Sequence, residues 1–171
     1  LLKADQKLFH TRDLAIIWGI TNKNTLYTLI KRYIHKGILI AIHKGFYSTL
    51  PLGQLDPLRL GVGYLHRFAY LSCETILFRE GIISQYSDVL TMISDISTRF
   101  RVGEGDYLVR KLSGKYLYND LGIIERNGLF EAGFHRAIAD MLYFNPKFHF
   151  DFKKTVYSKQ VKKIRKEVYG I

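Results

Sequence analysis

The stretch NKNTLYTLIKRYIHKGILIAIHKGFYS, Asn22 to Ser48, constrains the fold most, because its hydrophobic period changes halfway along. Through Lys36 the apolar residues Leu26, Leu29, Ile30, Tyr33 and Ile34 fall at the spacing that lays one stripe along a helix. After Gly37 the runs Ile38–Ala41 and Phe46–Thr49 are β-branched and aromatic and flank His43, Lys44 and Gly45, which predicts a hairpin. Upstream, LFHTRDLAIIWGI predicts a short helix capped by Thr11, with Leu14, Ile17 and Trp18 on one side and Gly19 at its end. Thr21 is expected to cap the helix that follows. Two short helices joined by a glycine-containing turn have helix-turn-helix spacing, and the hairpin adds a wing. Leu1 to Leu8 read as the remainder of an earlier packing helix. Residues 1–50 are therefore expected to form a winged helix-turn-helix domain.

The stretch LPLGQLDP, Leu50 to Pro57, holds two prolines and a glycine and marks a boundary. Past it, residues 51–171 are expected to form a mixed α+β domain, so the chain as a whole falls in the α+β class. Asp56 or a neighbour caps a helix expected to run to about Ala69, and CETILFREG, Cys73 to Gly81, predicts another. Strands are expected at Val89 to Ser94 and in RFRV and DYLVRKL, with Gly103 to Gly105 as the turn of a second hairpin. FEAGFHRAIADMLYF predicts a helix with Phe130, Phe134, Ala137, Ile138 and Met141 on one face. A basic helix is expected over Lys153 to Tyr169, packing through Val156, Val161, Ile164 and Val168.

Charge bears on function through its placement. The net charge of +11 divides into +6 for residues 1–50, −1 for residues 51–145 and +6 for residues 146–171. Two positive ends around a neutral middle suit a polyanionic partner, of which nucleic acid is the commonest. With 100° per residue, the face of the predicted second helix opposite its apolar stripe carries Asn24, Thr25, Thr28, Lys31, Arg32 and His35, with Tyr27 on the flank. Short amide and hydroxyl side chains near a helix N-terminus approach base edges in the major groove, and long cationic ones further along reach phosphate. Lys23, Asn24, Thr25 and Thr28 are thus expected at the bases and Lys31 and Arg32 at the backbone, with Tyr27 on the flank as a further DNA-binding residue. His43 and Lys44 are expected at the wing tip, against backbone or minor groove. Lys153, Lys154, Lys159, Lys162, Lys163, Arg165 and Lys166 are auxiliary phosphate contacts, unless that helix is simply solvated.

Signs of catalysis are few. The six histidines form no HxxxH or HExxH pair, the chain has no CxxC, and its GxG pairs lack a phosphate-binding context. No enzyme activity, metal site or cofactor is expected. Cys73, alone, excludes an internal disulfide and fits a reducing compartment, and no apolar run reaches the length of a membrane helix, so a cytoplasmic location is expected.

The order of parts resembles the AbiEi-type antitoxin family. The resemblance spans about Phe9 to Phe144 and is carried by NTLYTLIKR with its KG-IL-I-KG-FY hairpin, by DPL at Asp56 to Leu58, by YLSCETILFREGI and by the ADMLYF helix. It implies a winged-helix regulator that binds operator DNA to repress its own operon. It also implies a C-terminal domain needed to neutralise a nucleotidyltransferase-like toxin encoded alongside, in bacterial toxin–antitoxin and abortive-infection systems. Ser72, Glu74 and Tyr143 match family pattern positions and are expected to maintain the fold, while His135 and Arg136 stand where the pattern has an acidic residue and a lysine. Two alternatives stand beside this reading: a protein-interaction module whose winged helix docks a protein, and a transcriptional regulator with no toxin partner.

Overall fold

A strand, Leu8–His10 (β1), leads into helix α1 (Thr11–Trp18), helix α2 (Lys23–His35) and a hairpin of β2 (Ile40–His43) and β3 (Phe46–Ser48). The computed structural model describes residues 6–151 and 156–171. The expected helix over Leu1 to Leu8 is not there in its described part. Leu8 instead opens a strand that pairs antiparallel with β3, Leu8 opposite Ser48 and His10 opposite Phe46. β3 is the centre of a three-stranded sheet in the order β1-β3-β2, and all its residues are buried.

Glycine ends both helices. Gly19 (φ 64) lets its own N–H reach Ile16 O and that of Ile20 reach Ala15 O, and Gly37 (φ 68) does the same toward Ile34 while Ile38 bonds Tyr33. These are left-handed stops that capture the last carbonyls of each helix. Both expected N-caps move by one residue. The cap of α1 is His10, whose backbone N–H donates to Asp13 at 2.7 Å, and the cap of α2 is Asn22. Thr11 is used otherwise: its N–H and its hydroxyl both donate to Gly45 O, at 2.9 and 3.4 Å, fastening α1 to the hairpin turn. The core holds Phe9, Leu14, Leu26, Ile30, Leu39 and Tyr47, with Trp18 and Tyr33 packed against it. Ile17 does not join Leu14 inside; it and Ile16 are exposed, Ile16 by 70%.

Helix α3 (Pro57–Leu65) begins as expected at Asp56, whose carboxylate accepts from Leu58 N–H at 2.8 Å, but it stops well before Ala69. Gly63 lies against the Phe46 ring so closely that a Cβ would sit 2.8 Å from Cζ. This packing carries the first compact unit to Tyr64, past the boundary expected near Leu50, and the unit also includes Val102–Glu104.

The second unit comprises Leu65–Arg101 and the chain from Gly105. Its strands are β4 (Ala69–Leu71), β5 (Val89–Ser94), β6 (Thr98–Val102), β7 (Gly105–Lys111), β8 (Ile123–Arg126) and β9 (Leu129–Ala132). They form one mixed sheet in the order β6-β7-β5-β4-β9-β8. β4 is antiparallel to β5 and parallel to β9, β5 is parallel to β7, and β8 is antiparallel to β9. The helices are α4 (Glu74–Arg79), the short α5 (Gly114–Leu117), α6 (Phe134–Phe144) and α7 (Lys159–Ile164), which runs on as a π-helical turn over Arg165–Tyr169.

The chain is thus α+β. β5 and the β6–β7 turn fall where the sequence puts them, whereas β4, β8, β9 and α5 were not expected. Phe130 belongs to β9 and is exposed, because the helix starts only after Gly133. Val156, Val161, Ile164 and Val168 are buried as expected. Among the described residues no helix is long and apolar enough to cross a membrane.

Candidate nucleic-acid interface

Asn22 sets the start of α2. Its side-chain oxygen accepts from the N–H groups of Asn24 (2.9 Å) and Thr25 (3.2 Å), two donors that a helix start otherwise leaves unpaired. With that register fixed, Leu26 and Ile30 turn into the core, and Lys23, Asn24, Thr25, Tyr27, Thr28, Lys31, Arg32 and His35 are all exposed. The helix therefore brings together every residue expected on its reading face. Within that face Thr28 donates its hydroxyl hydrogen to Asn24 O at 2.9 Å. No acidic residue occurs from Thr21 to Phe46, so the cations here have no local carboxylate neighbour in sequence.

The hairpin divides the two residues expected at its tip. Lys44 is exposed at the turn, held by Gly45 in a left-handed conformation (φ 87). His43 is not free at the tip. It lies within β2, half-buried, with its ring 4.6 Å edge-on from Tyr64 and 5.5 Å from Phe46, and with Nδ1 2.9 Å from Lys44 O. Its work is to shape the turn. Asn22 and Thr11 are the positioning residues that sequence reasoning misses, although Asn is among the strongest capping types.

In the second unit, α7 is capped by Ser158, which accepts from Val161 N–H at 3.4 Å, and packs through Val161 and Ile164. Lys159, Lys162, Lys163 and Lys166 line its exposed side, where Lys163 meets Glu167 at 3.9 Å. Arg165 is half-buried with its Nε enclosed, so it is not a surface cation like its neighbours. Lys153 and Lys154 lie outside the described residues.

A cluster of polar side chains lies within the second unit. Arg136 and Asp140, one turn apart on α6, form an ion pair whose two side chains are both fully buried. Arg136 donates from Nε to Asp140 (2.7 Å), from Nη1 to the carbonyls of Asn119 (3.0 Å) and Leu121 (2.9 Å), and from Nη2 to the Tyr70 hydroxyl (3.1 Å). Asp140 also accepts from Ser72 at 2.7 Å and from the Tyr169 hydroxyl. Burial, reinforced by the Asp140 charge, pushes the Tyr70 and Tyr169 hydroxyls far up. Burial lowers the Arg136 guanidinium, but the Asp140 charge and hydrogen bond together with Tyr70 and Tyr169 more than offset it and hold the cation. Glu74 pairs with Arg110, and Tyr143 stacks on Tyr169 with centroids 4.5 Å apart. Cys73 is fully buried with a positive φ (52), and burial pushes its thiol well up, away from the nucleophilic thiolate. Among the described residues no group of three or more His, Cys, Asp or Glu is placed to hold a metal ion.

No protein-family model matches this chain, and no curated protein matches it.

Proposed function

We propose that the first unit is a winged-helix DNA reader, with α2 in the major groove and the β2–β3 hairpin as the wing. The observation that supports this is the exposed face of α2, whose amide, hydroxyl and cationic groups lie opposite Leu26 and Ile30 with no acid among them. The chain as a whole is a DNA-binding antitoxin of the AbiEi type, repressing its own operon and counteracting a nucleotidyltransferase-like toxin. That second step rests on the resemblance of NTLYTLIKR and YLSCETILFREGI.

The experiment is binding to the duplex immediately upstream of the chain's own gene, against a scrambled duplex, at three salt concentrations. The expected result is preference for the native duplex and a salt slope that falls by about 1.8 in Lys31→Ala/Arg32→Ala, since each phosphate contact contributes about 0.9. An unchanged slope refutes the assignment. One observation favours a protein-docking module instead: Ile16 and Ile17 stand exposed on α1. That reading gains if the chain captures the toxin, Ile16→Ser abolishes the capture, and neither duplex is bound.

A further inference from the structure

Two polar residues on the exposed face of α2 sit one turn apart and offer different chemistry. Asn24 has both backbone groups engaged, its N–H with Asn22 and its C=O with Thr28, which leaves the exposed carboxamide as the group it presents outward. Thr28 is the reverse case. Its hydroxyl hydrogen is turned back on the helix toward Asn24 O, so what is left for a partner is its methyl and an oxygen that can only accept. A carboxamide pairs with the N6 and N7 edge of adenine through two hydrogen bonds, and a threonine methyl packs on the C5 methyl of thymine. Of the side chains suited to guanine, Lys23 precedes Asn24 and Lys31 and Arg32 follow Thr28, so none lies between the two.

On the DNA-reading function above, we infer that α2 reads an adenine through Asn24 and a thymine methyl through Thr28, the two lying within two base pairs of each other. The spacing follows from the helix. Four residues advance about 6 Å along its axis, and base pairs are stacked about 3.4 Å apart.

The test uses the full chain and a pool of duplexes with a randomised core between fixed arms. Selection by the wild-type chain is expected to enrich adenine and thymine within two base pairs. In the selected duplex, Asn24→Ala loses discrimination at the adenine by about 5- to 150-fold, the value of a bidentate pair. Replacing the thymine by deoxyuridine removes only the C5 methyl, and is expected to weaken the wild-type chain and Thr28→Val by about fourfold. Thr28→Ser, which keeps the hydroxyl and drops the methyl, is weakened on thymine and indifferent to deoxyuridine. Enrichment of guanine that survives Asn24→Ala overturns the base assignment and leaves DNA reading standing, as does salt-dependent binding with no base preference. Absence of salt-dependent binding to the whole pool removes both. Circular dichroism of each variant checks that α2 is retained.

Discussion

Removing the Asp140 carboxylate leaves the Arg136 guanidinium charged and enclosed. Asp140→Ala strips Arg136 of the carboxylate that pairs with it at 2.7 Å and orphans the hydroxyls of Ser72 and Tyr169, while the other donors of Arg136 stay bonded to the carbonyls of Asn119 and Leu121. Breaking a buried pair from one side costs about 3–5 kcal/mol. The two stranded hydroxyls, each worth about 1–3 kcal/mol if left unpaired, place this case toward the upper end of that range. A loss of that size takes much of the roughly 5–15 kcal/mol that a domain has in hand. Urea denaturation followed by far-ultraviolet circular dichroism reads the loss, and fluorescence of Trp18, the only tryptophan and a residue of the first unit, gives an independent signal for that unit. Asp140→Asn keeps the shape and most of the hydrogen bonds and is expected to fall between wild type and Asp140→Ala. In a double-mutant cycle with Arg136→Met, the coupling is expected to reach about 2 kcal/mol or more, toward the top of the range for residues in contact. A cost for Asp140→Ala below about 1 kcal/mol, or a coupling near zero, refutes the reasoning, because water would then be reaching the guanidinium.

The same cluster sets an alkaline limit. Tyr70, Tyr169 and Cys73 have folded-state pKa values raised above their unfolded ones, so stability is full below the unfolded values and declines as pH rises above about 8.5 for the thiol and about 10 for the phenols. Each group contributes about 1.4 kcal/mol per pH unit in that range, and Tyr169→Phe is expected to remove one such share in pH-dependent urea melts. Asn22→Ala is expected to cost about 1 kcal/mol through loss of the cap while Thr21→Ala is close to neutral, a contrast that thermal melting reads directly. Lys159, Lys162 and Lys166 changed together to Ala are expected to weaken binding to native and scrambled duplexes by the same factor; a loss confined to the native duplex would assign them a role in sequence reading.

The sequence makes α2 and its hairpin legible because three local signals agree there: a helical stripe, a glycine stop at Gly37 and β-branched runs around Gly45. The caps are harder. Thr11 and Thr21 are good capping types one residue away from the true positions, and only the backbone register reveals that Thr11 is bonded to Gly45 and that Asn22 holds α2. Phe130 misleads for a related reason, since Phe130 and Phe134 are spaced like helix neighbours although Gly133 separates a strand from a helix. The β8–β9 hairpin had a readable sign in Asn127-Gly128, both at positive φ, the residue pair that two-residue hairpin turns favour. β4 had none, being three residues long and buried throughout, with no alternation to read. Arg136 and Asp140 look in sequence like an ordinary surface pair at i and i+4. What buries them arrives from Tyr70, Ser72 and Tyr169, which no local pattern connects.

The position of Tyr169 in that cluster bears on synthesis of the chain. A nascent chain leaves the ribosome from its N-terminus, so the strands and helices up to Tyr64 emerge first and can begin to pack among themselves. Asp140 emerges later, and the hydroxyl that completes its shell follows only with Tyr169. At about 5–20 residues per second, the interval from Tyr64 to Tyr169 is on the order of 5–20 s. During it the sheet of the second unit exists in part, and over its last stretch, once Asp140 has been made, Arg136 and Asp140 wait for their last partner. That interval is when this half of the protein is most exposed to proteases and to association with other unfinished chains.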